Sequence, residues 1–141
     1  MASDAIPTQG TLFQLGSGTT PESFHTIAEV RGFRGLGGGD APVIDVTHFL
    51  STRREKRLGM GDEGTLSFDL NLIPSDPQQQ ALETLRTSGN TRNFKITLTD
   101  GTTITLAGLV KKFEKSADLD DVWRASVDLE VSGEPTWNYA P

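Results

Sequence analysis

Residues Ser75 to Gly108 read SDPQQQALETLRTSGNTRNFKITLTDGTTITLAG. This stretch holds a short helix and a tight hairpin in succession. Asp76 or Ser75 can accept a backbone N–H as the helix N-cap, and Pro77 suits the first helical position because it has no N–H to waste. Gln79, three residues after Asp76, fits the closing position of a capping box. Ala81, Leu82 and Leu85 form an apolar stripe, and Gly89 can take the left-handed stop. The predicted helix, about 77–88, is too short to stand alone in water, so it must pack on a sheet. Phe94, Ile96 and Leu98 then alternate up to Asp100-Gly101, and Ile104 and Leu106 alternate beyond it. A two-residue turn would oppose apolar and polar side chains. A three-residue loop, Thr99–Gly101, pairs Ile96 with Ile104 and Phe94 with Leu106, so the pattern favours a bulged hairpin.

Outward from this unit the chain reads as strands. Leu66, Phe68, Leu70 and Leu72 alternate with polar residues before Pro74, which gives one core face and one wet face. Trp123, Ala125, Val127, Leu129 and Val131 repeat the pattern, and Gly133-Glu134-Pro135 is the expected stop. Thr11–Leu15, Thr26–Phe33 and Val43–Leu50 are further strand candidates, and the strand after the hairpin can run on to Phe113. The predicted fold is mainly β. It is an antiparallel sandwich or partly open barrel of six to seven strands, with one flanking helix. The expected division is a flexible arm at 1–10, one β domain at 11–133 with a long charged loop at 51–64, and a tail at 134–141.

The 141 residues fit one domain. There is no cysteine, so disulfides and thiolate metal sites are excluded. MASDAIPTQG lacks the basic start and apolar run of a secretory leader, and no apolar run reaches membrane-spanning length. A net charge of −6 argues against a general nucleic-acid binder, which needs a basic footprint.

Little in the chain resembles a catalyst. His25 and His48 lie in separate segments without metal-ligand spacing. The GLGGGD run at Gly35–Asp40 lacks the Gly-Lys-Ser/Thr ending of a phosphate loop and reads as a flexible loop. Asp118-Leu119-Asp120-Asp121 lacks the frame of a calcium loop. No nucleophile elbow or Ser/His/Asp set appears, so the expectation is a non-enzyme without cofactor or metal. The sharpest charged feature is the basic cluster Arg53, Arg54, Lys56 and Arg57. A solvated loop, a nucleic-acid contact and docking on an acidic protein surface are all open readings. Asp118, Asp120 and Asp121 offer such a surface on the same chain, which points to head-to-tail association. Trp137 and Tyr139 sit on the tail, where they either fold back on the core or anchor in a partner.

The ordered set GTLFQLGSG, then GTLSFDLNLIPSDPQQQALETLRTSGNTRNFKITLTDGTTITLAGLVKKFEKS, then RASVDLEVSGEP resembles the major tail tube proteins of long-tailed, lambda-type bacteriophages over about residues 8 to 135. The resemblance implies a structural subunit, with a fold related to the type VI secretion tube subunit. It implies hexameric rings stacked into a virion tail tube that conducts the genome. It also implies assembly in the host cytoplasm with tape-measure, tail-tip and terminator proteins, and double-stranded DNA passing without specific binding. By the same resemblance Arg53, Arg54, Lys56 and Arg57 become inter-ring contacts, with the Asp118–Asp121 turn as their counterpart. Asp69, Asp128 and Glu130, with Asp45, become lumen candidates whose charge would repel DNA. A ring-forming tail completion or secretion-tube protein is the alternative, and a small nucleic-acid-binding β-barrel is a further one.

Overall fold

The computed structural model describes residues 6, 9–19 and 21–140. The expected arm at 1–10 falls largely outside these described residues. Nine strands and one helix follow in the order β1 (Leu12–Gly16), β2 (Phe24–Thr26), β3 (Val30–Arg34), β4 (Val43–Asp45), β5 (Lys56–Leu58), β6 (Thr65–Asn71), α1 (Pro77–Ser88), β7 (Arg92–Thr97), β8 (Thr103–Ser116) and β9 (Arg124–Asn138). Seven strands make one antiparallel sheet in the order β2-β1-β7-β8-β9-β6-β3, and β4 and β5 form a separate hairpin.

The edges of the large sheet come from neighbouring chain segments, and that forces it to curl. The run 26–33, expected as one strand, is divided between β2 and β3 at opposite edges. Four residue steps from Thr26 to Val30 span at most about 14 Å. Six interstrand spacings in a flat sheet would span roughly 29 Å. The sheet therefore folds over on itself, and the ring of Phe13 on β1 lies 4.4 Å from that of Phe68 on β6 and 5.9 Å from that of Phe33 on β3. β2 and β3 form no ladder, so the barrel stays open. Inside the curl lie Leu15, Leu66, Phe68, Leu70, Phe94, Ile96, Ile104, Val127 and Leu129, with Leu82 and Leu85 of α1 among them.

The hairpin has the predicted register, with Ile96 opposite Ile104 and Phe94 opposite Leu106. Gly101 closes its loop at φ 97°, a backbone angle that a side chain disfavours. The helix also starts and stops as expected, with Asp76 as N-cap and Gly89 in the left-handed conformation.

The second half of the expected capping box is used elsewhere. The Asp76 carboxylate accepts from Gln79 N and Ala28 N, at 3.2 and 3.1 Å. The buried Gln79 amide does not return to Asp76. Its Oε1 accepts from Ile73 N at 2.8 Å, and its Nε2 donates to the carbonyls of Ala28 and Asn71 at 2.9 and 3.0 Å. Ala28 lies in the crossing between β2 and β3, so the start of α1 clasps the seam of the curled sheet. Nearby, Glu29 takes φ 53°, and its carbonyl accepts from Asn71 N.

Two expectations about β9 need correction. Trp123 precedes the strand and is 59% exposed rather than core. Alternation assigned it the inner side, but the sheet ends at the Asn71–Arg124 pair and no layer covers it beyond. Gly133-Glu134-Pro135 does not stop the strand. Four steps from Ser132 to Thr136 face two from Ala107 to Thr105, with Gly133 at φ 79°. Such a bulge tolerates Pro135 because the ladder asks no N–H of it there.

Candidate assembly surfaces

The segment expected as strand 43–50 followed by loop 51–64 is a projecting hairpin arm. Only Val43–Asp45 and Lys56–Leu58 are strand, paired Val43 to Leu58, Ile44 to Arg57 and Asp45 to Lys56. Backbone bonds extend the ladder in both directions, from Val46 N to Glu55 O, from Gly59 N to Pro42 O and from Asp62 N to Asp40 O. The glycine-rich run is part of this stem. A Cβ on Gly39 would lie 1.7 Å from the Asp62 carbonyl oxygen, so glycine there permits the two stem strands to approach. That close approach replaces the expectation of a flexible loop at 35–40.

Local polar contacts shape the tip of the arm. His48 N donates to Ser51 Oγ, Leu50 N to His48 Nδ1 and Ser51 Oγ to Glu55, while His48 Nε2 lies 3.3 Å from Glu55 Oε2. Phe49 and Leu50 stand fully out in solvent at this tip. Among the described residues, seven of the fourteen exposed large apolar side chains belong to residues 43–60, so apolar exposure is concentrated on the arm. They are Val43, Ile44, Val46, Phe49, Leu50, Leu58 and Met60.

The basic cluster is not uniform. Arg54 is tied to Asp45 at 2.8 Å within the arm. The Thr47 hydroxyl and amide, and then Arg54, hold the Asp45 carboxyl below its ordinary value. Arg53, Lys56 and Arg57 make no ion pair among the described residues. On the acidic turn, Asp121 is tied to Arg124 at 3.0 Å, whose hydrogen bond lowers its pKa. Asp118 and Asp120 form no such pair, and the turn between Ala117 and Trp123 is exposed.

The structure brings Asp69, Asp128 and Glu130 onto one face of β6 and β9 and leaves Asp45 on the separate arm. The carboxylates on this face are compensated. Asp69 accepts from the Ser126 hydroxyl and pairs with Arg34 at 3.1 Å, and both contacts lower its pKa, Ser126 more strongly. Asp128 accepts from Ser67 at 2.7 Å, and Glu130 takes Thr65 and Lys111 at 3.2 and 3.4 Å. Beside them Lys112 pairs with Glu114 at 2.8 Å. The face is therefore a ladder of alternating acid, hydroxyl and cation rather than an acidic wall. Alternation locates the polar face of a strand but not what stands across from each residue.

The tail is part of the sheet. Trp137 lies opposite Ile104 in the β8–β9 ladder, and Ala140 N donates to Thr102 Oγ1 at 3.2 Å. The Trp137 and Tyr139 rings stack 5.8 Å apart, yet remain 43% and 77% exposed. Sequence reasoning missed this pairing because it took Pro135 as a stop. It also missed Gln79 as the clasp, for which a lone buried polar residue in an apolar helix stripe was the available signal.

Three kinds of known protein are similar to this chain. Several solved structures share its fold. One is the tail of an empty gene transfer agent particle refined with C6 symmetry, with a TM-score of 0.73 at 17% identity, covering 96% of this chain and 100% of the other. Another is the SPP1 tail tube, with a TM-score of 0.70 at 14% identity, covering 95% and 79%. A third is the sheath/tube terminator of an extracellular contractile injection system, with a TM-score of 0.74 at 13% identity, covering 99% and 100%. At such identities the likeness concerns the fold. Among curated proteins, Protein RecA of Helicobacter pylori is 34% identical over 107 residues, which is 74% of this chain and 26% of that protein. The chain thus spans about a quarter of the length of those relatives, and the overlap assigns it no activity. The family model of the lambda phage tail tube protein matches residues 8–138, nearly the whole chain. By that match, and with a fold in agreement, the chain belongs to the lambda phage tail tube protein family.

Proposed function

We propose that this structural tail tube subunit assembles into hexameric rings, which stack into a tube that conducts the genome during ejection. The observation that carries the reading is the arm. Half of the exposed large apolar side chains among the described residues crowd onto a projecting hairpin that no part of the domain covers. Such a concentration is costly in water and marks a surface that a partner covers. The edge strands β2 and β3 supply the second requirement, since short open edges can be paired or covered within a ring. The polar face of β6, β8 and β9 lines the passage, with Asp69, Asp128 and Glu130 upon it. Its mixed charge gives duplex DNA few net phosphate contacts, so the DNA slides without being gripped. The tube belongs to the virion tail, is built in the bacterial host cytoplasm, and meets tape-measure, tail-tip and terminator proteins.

Negative-stain electron microscopy of the protein, concentrated in steps and then seeded with tail tips, tests this. Hollow tubes with sixfold end views are expected, and a seeded sample that stays monomeric overturns the reading. A ring-forming terminator is the second reading, favoured by the likeness to an injection-system terminator and to a tube-terminating cap. Single rings that never stack would select it.

A further inference from the structure

The protein exposes two segments that match in apolar content and oppose in charge. The arm tip presents Phe49 and Leu50, flanked by the unpaired Arg53, Lys56 and Arg57. The 117–123 turn presents Leu119, Val122 and Trp123, flanked by the unpaired Asp118 and Asp120. In each segment the remaining charge is already used internally, Arg54 by Asp45 and Asp121 by Arg124. No hydrogen bond or ion pair joins the two segments within the described residues of one chain.

We propose that the arm tip of one copy docks on the 117–123 turn of a second copy. The inference rests on the self-assembly reading above and adds the partner surface. Phe49 and Leu50 lie against Trp123 and its apolar neighbours, and the free cations face Asp118 and Asp120 at the rim. Apolar anchors inside a charged rim are the ordinary anatomy of a protein interface. Exposed charges alone would contribute little, so the anchors supply affinity and the charges supply register. A nucleic acid on the arm would leave Phe49 and Leu50 in water and the acidic turn unused. Two different patches on one chain make a heterologous contact, which closes into rings or runs on as a stack. The turn is also held in place for this role, because the Trp123 carbonyl accepts from Leu72 N at 2.9 Å.

Charge reversal tests the pairing. The variants R53E/K56E/R57E and D118K/D120K change exposed residues, and their urea midpoints are expected to match the parent chain. Each alone should lose sedimentable assemblies. An equimolar mixture of the two should regain them, because each reversed arm then meets a reversed turn. Normal assembly by D118K/D120K, or a mixture that fails to assemble, overturns the pairing while leaving tube formation itself intact. Loss of DNA binding by the arm variant with undisturbed assembly overturns it in favour of a nucleic-acid partner. A second measurement holds even if the parent chain stays monomeric, which would count against the self-assembly reading. The chain has no cysteine, so L50C and W123C chains can be mixed at high concentration and oxidised. A mixed disulfide in several-fold excess over like pairs supports docking, and a statistical distribution overturns it.

Discussion

Replacing Gln79 gives the sharpest test of how the curled sheet is held. The side chain is 3% exposed and makes three hydrogen bonds, to Ile73 N–H and to the carbonyls of Ala28 and Asn71. Two ways of reasoning order its variants oppositely. Packing alone says that Gln79→Met, close in volume, is milder than Gln79→Ala, which leaves a cavity. Polar satisfaction says the reverse. Methionine leaves one N–H and two carbonyls buried and unpaired, and each such group costs about 1–3 kcal/mol. Alanine leaves the same groups around a space large enough for a water, which needs two to four polar partners of this kind. The expected losses are about 3 kcal/mol for Q79A and about 4–5 kcal/mol for Q79M, from the lower part of the range for orphaned groups. With a urea slope of about 2 kcal/mol/M, the midpoint falls by about 1.5 M and by somewhat more than 2 M. Urea unfolding of dilute monomer, followed by circular dichroism, reads both. A Q79M chain as stable as the parent, or more stable than Q79A, would refute the claim that polar satisfaction at the seam governs this site.

Other expected outcomes follow from the same structure. Trp123→Ala should shift stability by no more than about 0.5 kcal/mol, as at an exposed site, whereas Phe68→Ala, fully buried against Phe13, should cost about 3–5 kcal/mol; urea midpoints compare them. Arg86 and Lys115 hold the Glu83 carboxyl down to about 2, against 4.5 ordinarily, and so tie α1 to β8. Because the folded pKa is the lower, that stabilisation is fully present above pH 4.5 and is lost as pH falls toward 2. Glu83→Gln should flatten this part of the acid limb, by a small amount that salt reduces further, because the side chain is 39% exposed. Gly39→Ala should pry the arm stem apart at the Asp62 carbonyl, and hydrogen exchange of the 43–58 amides should accelerate while the core amides keep their protection.

Read alone, the sequence determined whatever depends on neighbours along the chain. The alternation in Leu66–Leu70 and Ala125–Val131 fixed which side of each strand is buried, because the strand period is two whatever the strand pairs with. The caps at Asp76 and Gly89 fixed the helix ends, and the three-residue loop at Thr99–Gly101 fixed the hairpin register, because both are local geometries. Tertiary structure decided where those faces found cover. Trp123 had the right period and no layer above it. Pro135 had the look of a stop and became a bulge because β8 was long enough to pair beyond it. The segment 26–33 looked like one strand until the curl of the sheet divided it between two edges. Which cations of the basic cluster remain unpaired, and which carboxylates on the β6–β9 face meet a hydroxyl or a cation, follow from long-range pairing. A residue's own pattern records its period, and only the folded sheet brings distant residues opposite one another.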